Sequence, residues 1–362
     1  MKSVYIHIPF CEKICSYCDF CKMFYNEQMV DKYLDELERE VKSIYKDEVL
    51  ETIYIGGGTP SCLNLRQLER LFQITEIFNK ANKAEFTVEC NFSSTNKEKL
   101  ELFKKYSVNR LSFGLETINR KQLSFLEREE NMERTVSVIK TVRDMGFNNI
   151  NVDLMYALPG ESLDELKMDL EFINSLNVEH VSCYSLIIEE HTKLGIDKIL
   201  NIDADLDYEM YKYICSFMKN NGYKHYEISN YAKAGFESRH NTVYWENKQY
   251  YGFGLGASSY IGNSRITNTR SITKYLEGKY VLDKEDLEKE DLVYYEIMLN
   301  LRKCDGIDLD MLYSKYNVKL KHDELIKLGL LFKKNNRLYI PEEKWYISNE
   351  IIIRLLEGVV YE

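Results

Sequence analysis

The chain is short of the residues that mark several common protein classes. Only 4 of its 362 residues are proline and only 2 are tryptophan, which excludes proline-rich linker compositions. No apolar run approaches the ~20 residues that a membrane-spanning helix needs. The opening MKSVYIHIPF is too short an apolar stretch for a signal peptide. Positive charge is also scarce. Lys and Arg number 48 against 58 Asp and Glu, giving a formal net charge of -10 and a pI of about 5.4. That balance argues against non-specific binding to nucleic acid or to an anionic membrane surface. The expectation is a cytoplasmic protein with no nucleic-acid partner and no transmembrane segment, with peripheral membrane contact left open. Beyond strand–helix units there is no internal repeat, and there is no low-complexity segment.

Cysteine is plentiful and unevenly placed. The total of 9 is odd, and a chain of this length needs no disulfide staples. In a reducing compartment, clustered cysteines point to metal binding or catalysis. Cys11, Cys15, Cys18 and Cys21 lie close together near the start. Cys62, Cys90, Cys183, Cys215 and Cys304 are scattered and read as small buried hydrophobes. The first three follow the spacing C-x3-C-x2-C. Three thiolates on one loop can hold three corners of an iron–sulfur cube and leave the fourth iron open to a ligand. Structural zinc takes four ligands, commonly as two separated pairs. Cys21 could supply a fourth sulfur, but no distant pair exists, and the spacing favours a cluster. Tyr17 and Phe20 are expected to shield it from water.

The apolar pattern alternates between strand and helix over residues 1–222. Strands are expected at 4–9, 52–55, 85–90, 110–115, 149–155 and 180–186. Helices are expected at 26–45, 65–78, 97–106, 133–145, 163–175 and 205–221. Crossovers of this length give parallel pairing, in an open doubly wound sheet or a barrel. Cys11, Gly56 to Thr59, Glu89, Glu116 and Asp153 follow successive strands. Barrel sites gather at those strand ends, so the expected fold is α/β, a partial (βα)6 TIM-type barrel. Residues 223–283 are expected to form an irregular extension after an edge strand at 223–229. Residues 284–362 are expected to form a smaller, mostly helical winged-helix-like domain. Its helices fall at 287–301, 309–316, 322–327 and 348–356, with a hairpin around Asn335 and Asn336. The acidic balance suits packing or partner docking there better than DNA binding.

The segment C-x3-C-x-Y-C-x-F, followed after the second strand by GGGTP, resembles the radical S-adenosylmethionine superfamily. Within it, the stretch from Tyr5 through His7-Ile8-Pro9-Phe10-Cys11 resembles the oxygen-independent coproporphyrinogen III oxidases and their HemW-type relatives. NRLSFG from Asn109, NVDLMYALPG from Asn151 and YEISNYA from Tyr226 extend the resemblance over nearly the whole chain. The resemblance implies a 4Fe-4S cluster on Cys11, Cys15 and Cys18, with S-adenosyl-L-methionine chelated to the open iron. An electron from such a cluster cleaves the sulfonium and gives methionine and a 5'-deoxyadenosyl radical. Tyr5, Gly57, Gly58, Thr59, Glu89, Glu116, Arg128 and Asp153 fall where relatives contact that cofactor. The glycines would let backbone approach its methionine end, and Arg128 would pair with its carboxylate. Arg128 sits in the run Glu127-Arg128-Glu129-Glu130, which also fits a solvated charged face. Glu116 stands where relatives usually carry Gln, and Ser258 where many carry His.

The element His240-Asn241-Thr242-Val243-Tyr244-Trp245 is similar to the H-N-x-x-Y-W pattern of HemW-type heme chaperones. It makes His240 the candidate heme ligand, since His is the usual proximal ligand in many heme proteins. The plainer reading is a loop-anchoring His with aromatic packing. True oxidases resemble C-x3-C-x2-C-x-C, whereas Phe20 stands two places after Cys18 here. They also carry a long N-terminal extension, and only four residues precede Tyr5. The implied function is therefore that of a HemW-like heme chaperone. Its partners would be heme or a porphyrin, a reductant such as flavodoxin or ferredoxin, and heme-accepting proteins. The alternative is a coproporphyrinogen III oxidase, or another HemN-like radical enzyme such as a methyltransferase.

Overall fold

The computed structural model describes residues 1–362. Its main sheet holds strands β1 (Ser3–Ile8), β2 (Leu50–Gly57), β3 (Lys80–Cys90), β4 (Arg110–Glu116), β5 (Ile150–Tyr156), β6 (His180–Ser185), β7 (Lys224–Glu227), β8 (Asn230–Ala232) and β9 (Tyr251–Phe253). The order across it is β9-β1-β2-β3-β4-β5-β6-β8-β7. From β9 to β6 every pairing is parallel, and β8 and β7 close that edge antiparallel. The two edges do not pair, so the sheet curls into a partial TIM-type barrel.

Period-two alternation divides each strand between two environments. In β1, Val4, Ile6 and Ile8 are fully buried in the main apolar core. The intervening Tyr5 and His7 line a cavity inside the barrel. In β3, Glu85, Thr87 and Glu89 share one face. The lumen is polar and bonded within itself. Asn151 donates to Ser112 Oγ at 2.7 Å and to Asp153 Oδ1 at 2.8 Å, while its carbonyl meets His180 Nδ1 at 2.6 Å. A polar lumen can hold a charged cofactor, as an aliphatic one cannot.

The outer helices form where the pattern places them. Helix Glu27–Ile44 is capped by Asn26, whose side chain accepts from Met29 N, and it buries Val30, Tyr33, Leu34, Leu37 and Val41. Helix Leu163–Ser175 starts with a capping box between Ser162 and Glu165. The C-terminal part contains helices Lys289–Asn300, Leu309–Tyr316, Asp323–Lys327 and Ser348–Leu356. Its hairpin pairs Phe332–Lys334 with Arg337–Tyr339, and Ile307–Asp308 joins that sheet. This is the winged-helix-like arrangement that the sequence suggests. Its core residues Val293, Ile297, Leu338 and Leu355 belong to the same apolar cluster as the barrel.

Residues 223–283 differ from the irregular stretch expected. They supply β7, β8 and β9 to the main sheet. A separate sheet joins Ser258–Ile261, Ser264–Asn268 and Val281–Asp286. The expected edge strand exists as β7, but β8 lies between it and β6. Strand β9 is three residues long and contains Gly252. Its only large-sheet partner is β1, far away in sequence, so no local pattern announces it. The heptad from Arg239 is a helix, Arg239–Trp245, although His, Asn, Thr, Val, Tyr and Trp are all weak helix formers. Two acceptors hold its first turn. Ser238 Oγ accepts from Asn241 N at 3.2 Å. The buried Glu85 carboxylate accepts from Arg239 N at 3.0 Å and His240 N at 2.9 Å. A negative charge against orphan N–H groups at a helix start is doubly favourable.

Candidate cofactor and porphyrin site

The three clustered cysteines lie on the loop after β1 and line one cavity of about 150 Å³. Gly57, Gly58, Thr59, Glu89, Glu116, Arg128 and Asp153 line the same cavity. Tyr5 and His240 instead line an adjoining cavity of about 460 Å³, which shares Gly57 and Glu89 as a common wall. No three His, Cys, Asp or Glu side chains converge closely enough to hold a single metal ion. Three sulfurs spread around a cavity suit the separated corners of a cube better than one zinc ion. Burial pushes the Cys11 thiol up to about 12 and raises Cys18 as well. A metal bound here would itself have to favour the thiolate forms.

The glycine turn is built first for packing. A side chain at Gly58 would sit 2.9 Å from Cys11 Sγ and 2.7 Å from Phe10 O. Gly57 has φ +114, and a Cβ there would meet the His7 ring at 2.4 Å. The turn's N–H groups are occupied: Gly57 N donates to Glu89 Oε2, Gly58 N to Ile8 O and Thr59 N to Phe10 O, each at 2.8 Å. Thr59 Oγ1 lies 3.8 Å from Cys11 Sγ.

Arg128 is not on a solvated face. Glu127 and Glu129 are exposed, whereas Arg128 and Glu130 turn inward. Its guanidinium pairs with Glu116 Oε1 and Glu130 Oε1, each at 3.2 Å, donates to Gly114 O at 2.7 Å and approaches Cys15 Sγ at 3.7 Å. Its Nε is buried and lacks a partner. Glu116 reaches this position through a bulge in β4, where its own φ is +64. It also accepts from Tyr17 OH at 3.0 Å. Tyr17 and Phe20 both line the cysteine cavity, Tyr17 held by that bond and Phe20 65 % exposed. Burial, and then the charge of Glu116, raise Asp153 to about 7; burial also raises Glu89. Three acids crowded into one buried pocket favour a ligand that brings positive charge. The sulfonium and ammonium of S-adenosylmethionine fit that requirement.

Glu89 is also a structural cap, since Tyr54 OH donates to its Oε1 at 2.7 Å. Tyr5 OH bonds His7 Nδ1 at 2.9 Å, and His7 Nε2 bonds Cys21 O at 2.7 Å. This relay ties the end of the cysteine loop to β1. His240 is buried and stacks on Tyr54. Its Nδ1 meets Thr52 Oγ1 and its Nε2 meets Tyr244 OH, each at 2.8 Å. Burial pulls its ring down to about 3, so it is neutral at ordinary pH. Both ring nitrogens are hydrogen-bonded, so ligation of heme iron by this candidate would have to displace Thr52 or Tyr244. In this structure it anchors Tyr244.

Tyr244 and Asn241 lie on the wall between the 460 Å³ cavity and an outer cavity of about 810 Å³. Sequence reasoning missed Glu85, Tyr54 and the outer cavity. The alternation Glu85-x-Thr87-x-Glu89 was the one available sign that two carboxylates face the lumen. A further cavity of about 590 Å³, lined by Met1, Glu51 and Lys248 at the opposite end of β1 and β2, holds none of the cofactor residues.

Residues 5–173 match the Radical SAM superfamily. The heme chaperone HemW of Bacillus subtilis is 38% identical over 97% of this chain and 98% of its own length. HemW of Lactococcus lactis is 36% identical over 98% of this chain and 97% of its own. The chain belongs to the HemW family of radical SAM proteins. Among solved structures, Escherichia coli coproporphyrinogen III oxidase (HemN), a radical SAM enzyme, superposes with a TM-score of 0.86. It covers 97% of this chain and 89% of its own at 22% identity, a likeness that establishes the shared fold. No helix of this HemW-family chain is long and apolar enough to cross a membrane.

Proposed function

We propose that the chain is a heme chaperone that holds a 4Fe-4S cluster on Cys11, Cys15 and Cys18 and S-adenosylmethionine beside it. The observation that carries this reading is the placement of helix Arg239–Trp245. It lies against the cofactor chamber and turns Asn241 and Tyr244 toward two large neighbouring cavities. When bound, the cluster supplies electrons and an open iron at which the cofactor's amino and carboxylate groups can bind. The remaining work falls to side chains of this chain. Glu89, Glu116 and Asp153 balance the cofactor's positive charge, and Arg128, already beside Cys15, offers a partner for its carboxylate. Gly57 and Gly58 leave room for the loop, and Thr59 supports Cys11. Tyr5 and His7 hold the loop's far end. His240 keeps Tyr244 in place at the edge of the heme chamber.

All nine cysteines are free thiols, which suits a reducing cytoplasm. An electron donor of the flavodoxin or ferredoxin kind and a heme-accepting protein complete the scheme. The test has two arms on the anaerobically reconstituted protein. Substituting serine for Cys11, Cys15 and Cys18 together should abolish the cluster's visible absorbance and its EPR signal. Equilibrium titration with heme should show saturable binding at one heme per chain. A triple variant that kept both cluster signals, or a wild type that bound no heme, would refute the reading. The competing reading, a porphyrinogen oxidase on the same fold, requires turnover of coproporphyrinogen III.

A further inference from the structure

The chain has two tryptophans, and both line one cavity. Trp245 comes from the lumen helix and Trp345 from the C-terminal module, and Tyr244 and Tyr346 add to the same walls. The cavity measures about 810 Å³, within the range of small-molecule sites. Aromatic side chains are the largest group on its lining. Arg302 is the only cation there, and the two acids on the lining, Asp207 and Glu227, are both shifted toward their neutral forms by burial. No carboxylate lies within ion-pair distance of Arg302. Its one side-chain partner is Asn349 Oδ1 at 2.9 Å, and its Nε is buried without a partner. Its guanidinium carbon stands 5.9 Å from the Trp245 ring centre. On the same lining Asn230 Oδ1 is likewise buried and unbonded. An unpaired guanidinium beside flat aromatic walls calls for a ligand with a broad apolar face and a carboxylate at its edge.

We propose that this cavity, between the barrel edge and the C-terminal module, is where the porphyrin sits, with Arg302 pairing a propionate carboxylate and the two tryptophans flanking the macrocycle. The inference rests on the heme reading above and adds the location and the anchor. It gives the C-terminal module a direct part in the site. The bond from Tyr346 OH to Asp207 Oδ2, at 3.2 Å, joins that module to the barrel at the cavity lining. No histidine lines this cavity; the anchor proposed within it is the carboxylate contact.

The test compares heme with its dimethyl ester, which keeps the ring and iron but carries no carboxylate. Wild type should bind heme about tenfold more tightly than the ester, the scale of one charge-assisted contact. Arg302→Met should erase that difference by weakening heme alone, and Arg302→Lys should restore most of it. Equal affinities of wild type for heme and ester would overturn the proposal without any variant. Equal weakening of both ligands in Arg302→Met would show a packing defect in place of a carboxylate contact, and would also overturn it. If wild type bound neither ligand, the heme reading itself would fall with the inference.

Discussion

Replacing Glu85 by alanine removes two of the three bonds that hold the first turn of helix Arg239–Trp245, leaving only the Ser238 cap. The Glu85 carboxylate accepts from the N–H groups of Arg239 and His240 at 3.0 and 2.9 Å. Each bond to a charged acceptor is worth about 1.5–3 kcal/mol. Water can recover part of the loss once the turn opens, so the lower values apply and sum to about 3 kcal/mol. Only seven residues long and built from weak helix formers, the helix has little intrinsic stability to offset this. Its opening equilibrium should rise on the order of a hundredfold, by the rule of about 1.4 kcal/mol per decade. The assay is hydrogen exchange at the helix amides, read against amides of β4 and β5 as internal references. Selective loss of protection at the helix, together with weaker heme binding, is expected. A folded Glu85→Ala protein with unchanged exchange at those amides would refute the capping argument.

Gly58→Ala should lower cluster content several-fold on reconstitution, because its Cβ would press on Cys11 Sγ and Phe10 O; iron and sulfide analysis checks this, with secondary structure intact. His240→Gln should lower heme affinity modestly by loosening Tyr244, yet leave the position of the heme Soret band unchanged; a shifted band would make His240 an iron ligand. Glu40 is buried beneath the Gly254 turn, accepting from Tyr275 OH at 2.6 Å and Gly254 N at 2.8 Å. Burial raises its carboxyl to about 7, above the ordinary carboxylate value of ~4.3. The folded state therefore binds the proton more tightly, so this contribution is complete below pH ~4.3 and is lost as pH rises through 7. Glu40→Gln should flatten the fall in stability between about pH 4.5 and 7, as followed by urea unfolding.

The parts that sequence reveals well are those with local rules. The strand–helix alternation, the C-x3-C-x2-C loop and the glycine turn each carry their own pattern, and the structure joins them in one cavity. The parts that stayed hidden depend on contacts between distant segments. Strand β9 exists because β1 offers it an edge. Helix Arg239–Trp245 exists because Glu85, 154 residues away from Arg239, caps it. The apparent charge run at Glu127 to Glu130 divides into two outward and two inward side chains because the turn after Phe125 brings Arg128 under β4. His240 reads from its neighbours in the chain as a candidate heme ligand or a loop anchor, and only the fold shows its bonds to Thr52 and Tyr244. Arg302 had no motif at all; its meaning comes from the aromatic cavity around it.

The most direct test of a heme chaperone built on a radical SAM frame is the fate of the oxidase substrate. The reconstituted, reduced protein is incubated anaerobically with S-adenosylmethionine and coproporphyrinogen III, and the recovered porphyrin is weighed by mass spectrometry. The structure and its family predict coproporphyrinogen returned with all its carboxyl groups, from a preparation that binds heme. Recovery of decarboxylated product at more than one turnover per chain would contradict the account and assign the cavities to an enzyme.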